Sequence, residues 1–175
     1  SAIDVLVPCL LFIPFKWVSK IENFRIPFIG WGMSLNRYVP IRRGGLSSIK
    51  AMMQQARAHL KQGSSIFIFP EGARSDDGNL KTFKTGAFKL AQEMNVPVLP
   101  VVLTGTAEAL PKRSLHFKGR HQIGIEVLPA IEAAQHQSLS LNELTELAHE
   151  QIAAALACEA TDSRPIDTAS QQPQS

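Results

Sequence analysis

The chain has 175 residues, enough for one domain with a single sizeable core. Hydrophobic residues make up 45% and charged residues 19%, a balance that excludes an intrinsically disordered chain. The net charge of +3 hides an asymmetry: Ser1 to Lys61 carries nine Lys or Arg against Asp4 and Glu22, a net +7, which leaves −4 for the remainder. A basic, aromatic-bearing first third points to phosphate, a membrane surface or nucleic acid, or else to a solvated basic face.

The apolar run from Val5 to Phe15 contains Pro8 and Pro14 and stops at Lys16. Crossing a bilayer takes ~20 apolar residues, so no transmembrane segment is expected in this chain. Ala2 to Phe12 reads as a short helix weakened by Pro8, and Phe15 to Ser19 as a strand. Phe24 to Trp31 mixes large apolar residues with Arg25, Pro27 and Gly30. It reads either as a membrane-interface segment or as a core-packing turn. Tyr38 to Ile41 is a short strand ending in Arg42-Arg43-Gly44-Gly45.

Ile49, Met52, Met53, Ala56 and Leu60 recur at helical spacing, with Ser47 or Ser48 as the cap and Gly63 after the end. Ser65 to Phe69 is an apolar strand stopped by Pro70, Gly86 to Met94 a helix, and Val98 to Leu103 a buried strand. Two short strands follow at Leu115–Lys118 and Gln122–Leu128. Ser140-x-x-Glu143 is a capping box opening a helix with Leu141, Leu144, Ala148, Ile152 and Ala155 on one face. From Glu159 little remains to bury, so residues 159–175 are expected to form a disordered polar tail. Cys9 and Cys158 lack metal-ligand spacing and read as buried small hydrophobes in a reducing compartment. Alternating strands and helices give an α/β single domain over residues 1–158, with a mostly buried mixed sheet flanked by helices.

The chemically informative stretch is Phe69-Pro70-Glu71-Gly72-Ala73-Arg74-Ser75. A buried strand delivers Glu71 and Arg74 to a surface turn, where α/β folds place functional loops. Arg74 has the fork geometry that grips a phosphate, and Gly72 allows close backbone approach. This segment resembles the Phe-Pro-Glu-Gly-Thr-Arg-Ser motif of the glycerophospholipid acyltransferase family, which includes the 1-acylglycerol-3-phosphate acyltransferases. Phe83-Lys84-Thr85-Gly86-Ala87-Phe88 resembles the Phe-Lys-x-Gly-Ala segment that follows it there. Val96-Pro97-Val98-Leu99-Pro100-Val101 is similar to the family's fourth motif. Phe24 to Trp31 with Val39-Pro40-Ile41-Arg42-Arg43 is similar to the second-motif region. These segments, in order, cover roughly Ser1 to Val102. Ser1-Ala2-Ile3-Asp4 looks like the end of the first motif, Asn-His-x-Ser-x-x-Asp. That places the histidine two positions before Ser1, so the chain is expected to be cut within the motif and inactive as given. No histidine present has an aspartate five residues on; His121 with Glu126 is the nearest imitation.

The resemblance implies transfer of an acyl chain from acyl-CoA or acyl-carrier protein to the free hydroxyl of a lysophospholipid, foremost 1-acylglycerol-3-phosphate, giving phosphatidic acid. The histidine would act as general base and Asp4 would orient it. Arg43 and Arg74 would bind the acceptor phosphate, Glu71 would contact a glycerol hydroxyl or align an arginine, and Gly72 would keep the floor of the site open. Val98 to Val101 would shape the site or act as plain core. Ala73 departs from the usual threonine. No metal or bound cofactor is implied, and the enzyme would work at the cytoplasmic face of an anionic membrane. Acylation of another lysolipid, or a non-catalytic phosphate- or membrane-binding module, remains open. Nucleic-acid binding is disfavoured, because the aromatics sit among Pro and Gly and no RNA or DNA motif is present.

Overall fold

In the computed structural model the described residues are 15–42, 45–73, 75, 79–106 and 122–162. Phe15 to Lys20 form β1, with Trp17 and Ser19 buried at a spacing of two. β1 is the middle strand of a parallel sheet ordered β2-β1-β3, where β2 is Val39–Ile41 and β3 is Ser65–Phe67. Its two halves serve different neighbours. Phe15, Lys16 and Trp17 register with Ser65, Ile66 and Phe67, whereas Val18, Ser19 and Lys20 register with Val39, Pro40 and Ile41. β3 leaves the ladder two residues before the sequence pattern expects. The Phe69 carbonyl is taken by the Gly72 amide at 3.2 Å, which turns the chain away.

A 3-10 turn, Ile21–Arg25, leads into α1, Ile29–Leu35. Gly30 packs so closely that a Cβ there would collide with the Phe24 carbonyl, and Met33 is buried beside it in the helix. The outer side of α1 carries Trp31 and Leu35 in solvent, with the capping Phe28 exposed beside them. The core-packing reading of Phe24 to Trp31 thus holds for Gly30, while the large side chains around it face solvent.

α2, Leu46–Lys61, packs on β2 and β3 with Met52 and Ala56 inward. Neither Ser47 nor Ser48, the caps expected from the pattern, fills that role. Gly45 is the cap, its carbonyl accepting from the Ser48 and Ile49 amides at 3.1 and 3.3 Å. The Ser48 hydroxyl is engaged elsewhere: it accepts from the Arg42 amide and donates to the Arg42 carbonyl, each at 3.1 Å. Gly63, at φ +78°, follows the helix end as expected.

α3, Gly86–Met94, ends on Asn95 in the left-handed conformation. β4, Val101–Thr104, pairs antiparallel with β5, Gly124–Val127. Val98, expected within that strand, instead forms an isolated bridge with Ile131. A short helix α4, Ala133–His136, and a long helix α5, Leu141–Asp162, complete the described chain. The flanking helices and strands give the expected α/β class, but the described strands form a three-stranded parallel sheet and a separate antiparallel pair in place of one mixed sheet. Phe88, Ile131, Leu144 and Ala148 form a second core, with Phe83, Val98 and Leu147 against it. Large side chains buried in this way contribute roughly 1.5–3 kcal/mol each. Gln92 of α3 fastens the α4 turn by donating to the His136 and Leu139 carbonyls at 3.0 and 2.9 Å.

Cys158 is exposed on α5, contrary to the buried reading. A long helix that meets the core on one stripe leaves its other positions facing water, and Cys158 is one of these. Cys9, the expected helix at Ala2–Phe12, the expected strand at Leu115–Lys118 and residues 163–175 lie outside the described residues. α5 continues through Asp162, past the polar turn in composition at Glu159. Among the described residues no helix is long and apolar enough to cross a membrane.

Gly30 and Gly32 make opposite predictions within one helix. Gly30→Ala should lower stability by about 1–3 kcal/mol through overpacking. Gly32→Ala meets open space and should raise it by about 0.5–1 kcal/mol; urea denaturation checks both. The capping box forms as expected, Ser140 N–H to Glu143 at 2.7 Å and Glu143 N–H to Ser140 Oγ at 3.3 Å. Hydrogen bonds from the Ser140 hydroxyl and then its amide hold Glu143 below the ordinary carboxylate range. Because the folded value is depressed, this stabilisation is present above the unfolded pKa and is lost as pH falls through the folded one. Glu143→Gln should therefore flatten the acid limb of the melting-temperature profile slightly.

Candidate functional site

Parallel strands emit their loops at a common edge, and in α/β sheets ligands bind beyond the carboxyl ends. Lys20 ends β1 directly across from Ile41, so the chain leaving β2 places Arg42 in the adjoining loop. A cleft of about 400 Å³ opens there between the end of β2 and the first turns of α2, lined by Ile21, Pro40, Arg42, Ser47 and Ser48 among others. The Ser48 hydroxyl fixes the backbone of Arg42 in its wall.

The third loop leaves β3 as Phe69-Pro70-Glu71-Gly72. Rings anchor its root: Trp17 stacks on Phe67 with centroids 4.6 Å apart, and Phe69 meets Trp17 edge-on at 5.5 Å. Two bonds close the turn against the returning chain. The Lys81 amide donates to Glu71 Oε2 at 3.0 Å, and the Lys84 amide donates to the Pro70 carbonyl at 3.0 Å. Gly72 has φ +70°, and a Cβ added there would lie 2.9 Å from Lys84 Nζ and 3.0 Å from its Cε. The space left by the missing side chain is thus filled by the Lys84 side chain, which carries its ammonium over the turn.

Of the residues singled out from sequence, Glu71 and Gly72 are neighbours in this turn. Asp4, Arg43 and Arg74 lie outside the described residues. Glu71 spends at least one oxygen on shaping the loop. Sequence reasoning assigned no role to Lys20, Arg42 or Lys84. Each stands at a strand end or inside a motif-like segment, but the return of Lys84 onto Gly72 follows no spacing rule. Leu99 is exposed while Val98 packs in the second core, so the strand-like segment serves packing at that position.

His136 is wholly buried and its Nε2 faces the Val96 carbonyl at 2.9 Å. A carbonyl only accepts, so Nε2 carries the proton and Nδ1 is left without a hydrogen-bond partner. His149 meets the Phe83 ring edge-on at 4.8 Å. Both histidines therefore belong to the second core and its surroundings. Glu126 is exposed on β5, and His121 lies outside the described residues. Among the described residues, no three His, Cys, Asp or Glu side chains gather where they could hold a metal ion.

Comparison with known proteins adds a family and relatives. The family model described as Acyltransferase matches residues 1–104. A chloroplastic 1-acyl-sn-glycerol-3-phosphate acyltransferase of Brassica napus is 40% identical over 114 residues, covering 65% of this chain and 33% of the relative. Its Arabidopsis thaliana counterpart is 41% identical over 114 residues, 65% of this chain and 32% of the relative. The chain thus spans about a third of the length of these curated relatives. A solved structure of the 1-acyl-sn-glycerophosphate acyltransferase of Thermotoga maritima superposes with a TM-score of 0.71 at 26% identity, covering 86% of this chain and 58% of that one.

The contact between Gly72 and Lys84 is open to a double-mutant cycle. Gly72→Ala should cost about 1–3 kcal/mol from the left-handed backbone and the crowding together, and Lys84→Ala alone about 0.5 kcal/mol or less. The double variant should be more stable than the sum predicts, because the crowding disappears. Strict additivity in urea denaturation would show that the Lys84 side chain does not occupy the space over Gly72.

Proposed function

The chain belongs to the Acyltransferase family, and from that premise we propose that it transfers an acyl chain from acyl-CoA or acyl-carrier protein to 1-acylglycerol-3-phosphate, giving phosphatidic acid. The acceptor hydroxyl oxygen forms an ester bond to the thioester carbonyl carbon. The carbon–sulfur bond breaks, and the proton leaves the hydroxyl through a general base and ends on the thiol. That base is the histidine the family's first motif sets five residues before Asp4, and Asp4 orients it and stabilises its charged form. The thioester carries its own activation, so the reaction is written without a metal or bound cofactor.

Arg43 and Arg74 grip the acceptor phosphate, assisted by the ammonium groups of Lys20 and Lys84 at the same sheet edge. Glu71 keeps the turn in shape through Lys81 and contacts a glycerol hydroxyl or aligns an arginine. Gly72 admits Lys84. The work is done at the cytoplasmic face of an anionic membrane, with the lysophospholipid and the acyl donor as partners. The observation that carries this reading is the Lys84 ammonium held over the Pro70-Glu71-Gly72 turn, beyond the carboxyl ends of parallel strands. The names of the relatives support the same acceptor.

The test uses the chain preceded by Asn, His and one spacer residue, assayed with lysophosphatidic acid and acyl-CoA for phosphatidic acid and released thiol. Removing the histidine should lower turnover by at least ~10²–10⁴-fold. Arg74→Ala should lower kcat/KM for the phosphorylated acceptor by ~10–100-fold, chiefly through KM, the scale expected for a lost charge-assisted pair. Activity on monoacylglycerol should barely change. Equal effects on both acceptors would remove the phosphate role from Arg74. Absence of product with every lysophospholipid would favour a binding module.

A further inference from the structure

The surface of α1 is inverted relative to an ordinary surface helix. Phe28, Trp31 and Leu35 are 78%, 63% and 85% exposed; Trp31 and Leu35 stand four apart on α1, and Phe28 caps the helix beside them. Phe28 and Trp31 contact each other edge-on at 5.2 Å, so they form one aromatic prow in place of two isolated rings. Ile26 extends it and is exposed as well.

The exposure is built in. Turning α1 to bury this stripe would expel Gly30, which has no room for a Cβ against Phe24, and Met33, which is buried. Three bonds fix the helix further: Ser34 Oγ to the Gly30 carbonyl at 2.8 Å, Asn36 Nδ2 to the Gly32 carbonyl at 2.9 Å, and Lys16 Nζ to the Asn36 carbonyl at 2.8 Å. Phe28 itself sits at φ +64°, a region an aromatic residue occupies at a cost and only where the surroundings impose it.

The flanks carry the second half of the argument. Arg25 before α1 and Arg37 after it are both exposed. Between Lys16 and Lys61 the sequence holds nine cations against the single acid Glu22. An apolar stripe with aromatic rings, rimmed by arginines, complements a lipid interface whose acyl region takes the rings and whose anionic headgroups meet the cations. A protein partner of ordinary composition would have no matching need for an arginine at each end of the stripe.

We propose that Ile26, Phe28, Trp31 and Leu35, with Arg25 and Arg37, dock this chain onto the surface of an anionic lipid bilayer. The proposal deepens the reading of the chain as a lipid acyltransferase by naming the residues that meet the membrane, and α1 follows the carboxyl end of β1 by a single 3-10 turn.

Trp31 supplies the readout. The other tryptophan, Trp17, is 1% exposed and its emission should stay fixed, so a lipid-induced blue shift reports Trp31. Added to the full chain, phosphatidylglycerol vesicles should produce that shift and cosedimentation, and phosphatidylcholine vesicles should do so at least about tenfold less well. Phe28→Ser/Trp31→Ser should lower cosedimentation at least about tenfold while leaving the melting temperature unchanged. Arg25→Gln/Arg37→Gln should abolish the preference for the anionic lipid but keep the aromatic contribution.

Undiminished cosedimentation of the aromatic variant, or an unshifted tryptophan emission, would overturn the proposal. So would a concentration-dependent dimer that the aromatic substitutions dissolve and vesicles do not, since the stripe would then face a second copy. Acylation of a short-chain, water-soluble acceptor by the histidine-bearing chain should be equal with and without the aromatic substitutions. Vesicle binding without any acyl transfer would sink the enzymatic reading and leave the docking surface standing. Acyl transfer without vesicle binding would do the reverse.

Discussion

Everything at the candidate site depends on β1 being shared between two parallel neighbours. The stacking of Trp17 on Phe67, 7° from parallel, holds β3 against the first half of the strand. The second half is thereby left to β2. Because all three strands run the same way, Lys20, Arg42 and the Pro70-Glu71-Gly72 turn emerge at one edge. Aromatic stacking of this kind adds about 0.5–1.5 kcal/mol beyond area burial, and it orients as well as stabilises. An antiparallel β3 would send its turn to the opposite edge and leave the cations without it.

The two cores then divide the work. The first, under α2 and the parallel sheet, positions the loops. The second is built from α3, α5 and the bridged Val98 and Ile131, and buttresses the returning chain from 79 to 86 through Phe83 and Phe88, whose rings stack at 6.2 Å. Lys84 lies next to Phe83, so packing in the second core sets where its ammonium can reach. An Arg57–Glu93 ion pair also links α2 to α3. Both partners are about a third exposed, so the pair contributes only a fraction of a kcal/mol. The hydrogen bonds from Gln92 to the α4 turn are the firmer tie.

Legibility followed locality. The strands at Phe15, Val39 and Ser65, the helices at Gly86 and Leu141 and the Ser140 capping box rest on neighbours in sequence, and the pattern placed them well. The cap of α2 was misread because Ser48 prefers a partner six residues upstream, an interaction outside any helix rule. The exposed Cys158 and the interior His136 were equally opaque, since burial depends on what another element brings. At the site, Glu71 and Gly72 were legible from a motif. Lys84 was not, because its meeting with Gly72 runs through a twelve-residue return of the chain. The outward stripe of α1 was half legible: composition marked an interfacial segment, and the collision at Gly30 decided which side faces out.

The central claim is that the carboxyl edge of the parallel sheet binds the phosphate of a glycerol-based acceptor, and this does not depend on the catalytic base. The most direct measurement is amide chemical-shift mapping of the full chain titrated with glycerol 3-phosphate, with glycerol as the control. The account predicts saturable shifts concentrated at Lys20, Arg42, Glu71, Gly72 and Lys84, absent with glycerol and weakened by salt. Shifts centred instead on α4 and α5, or equal responses to glycerol and its phosphate, would contradict it.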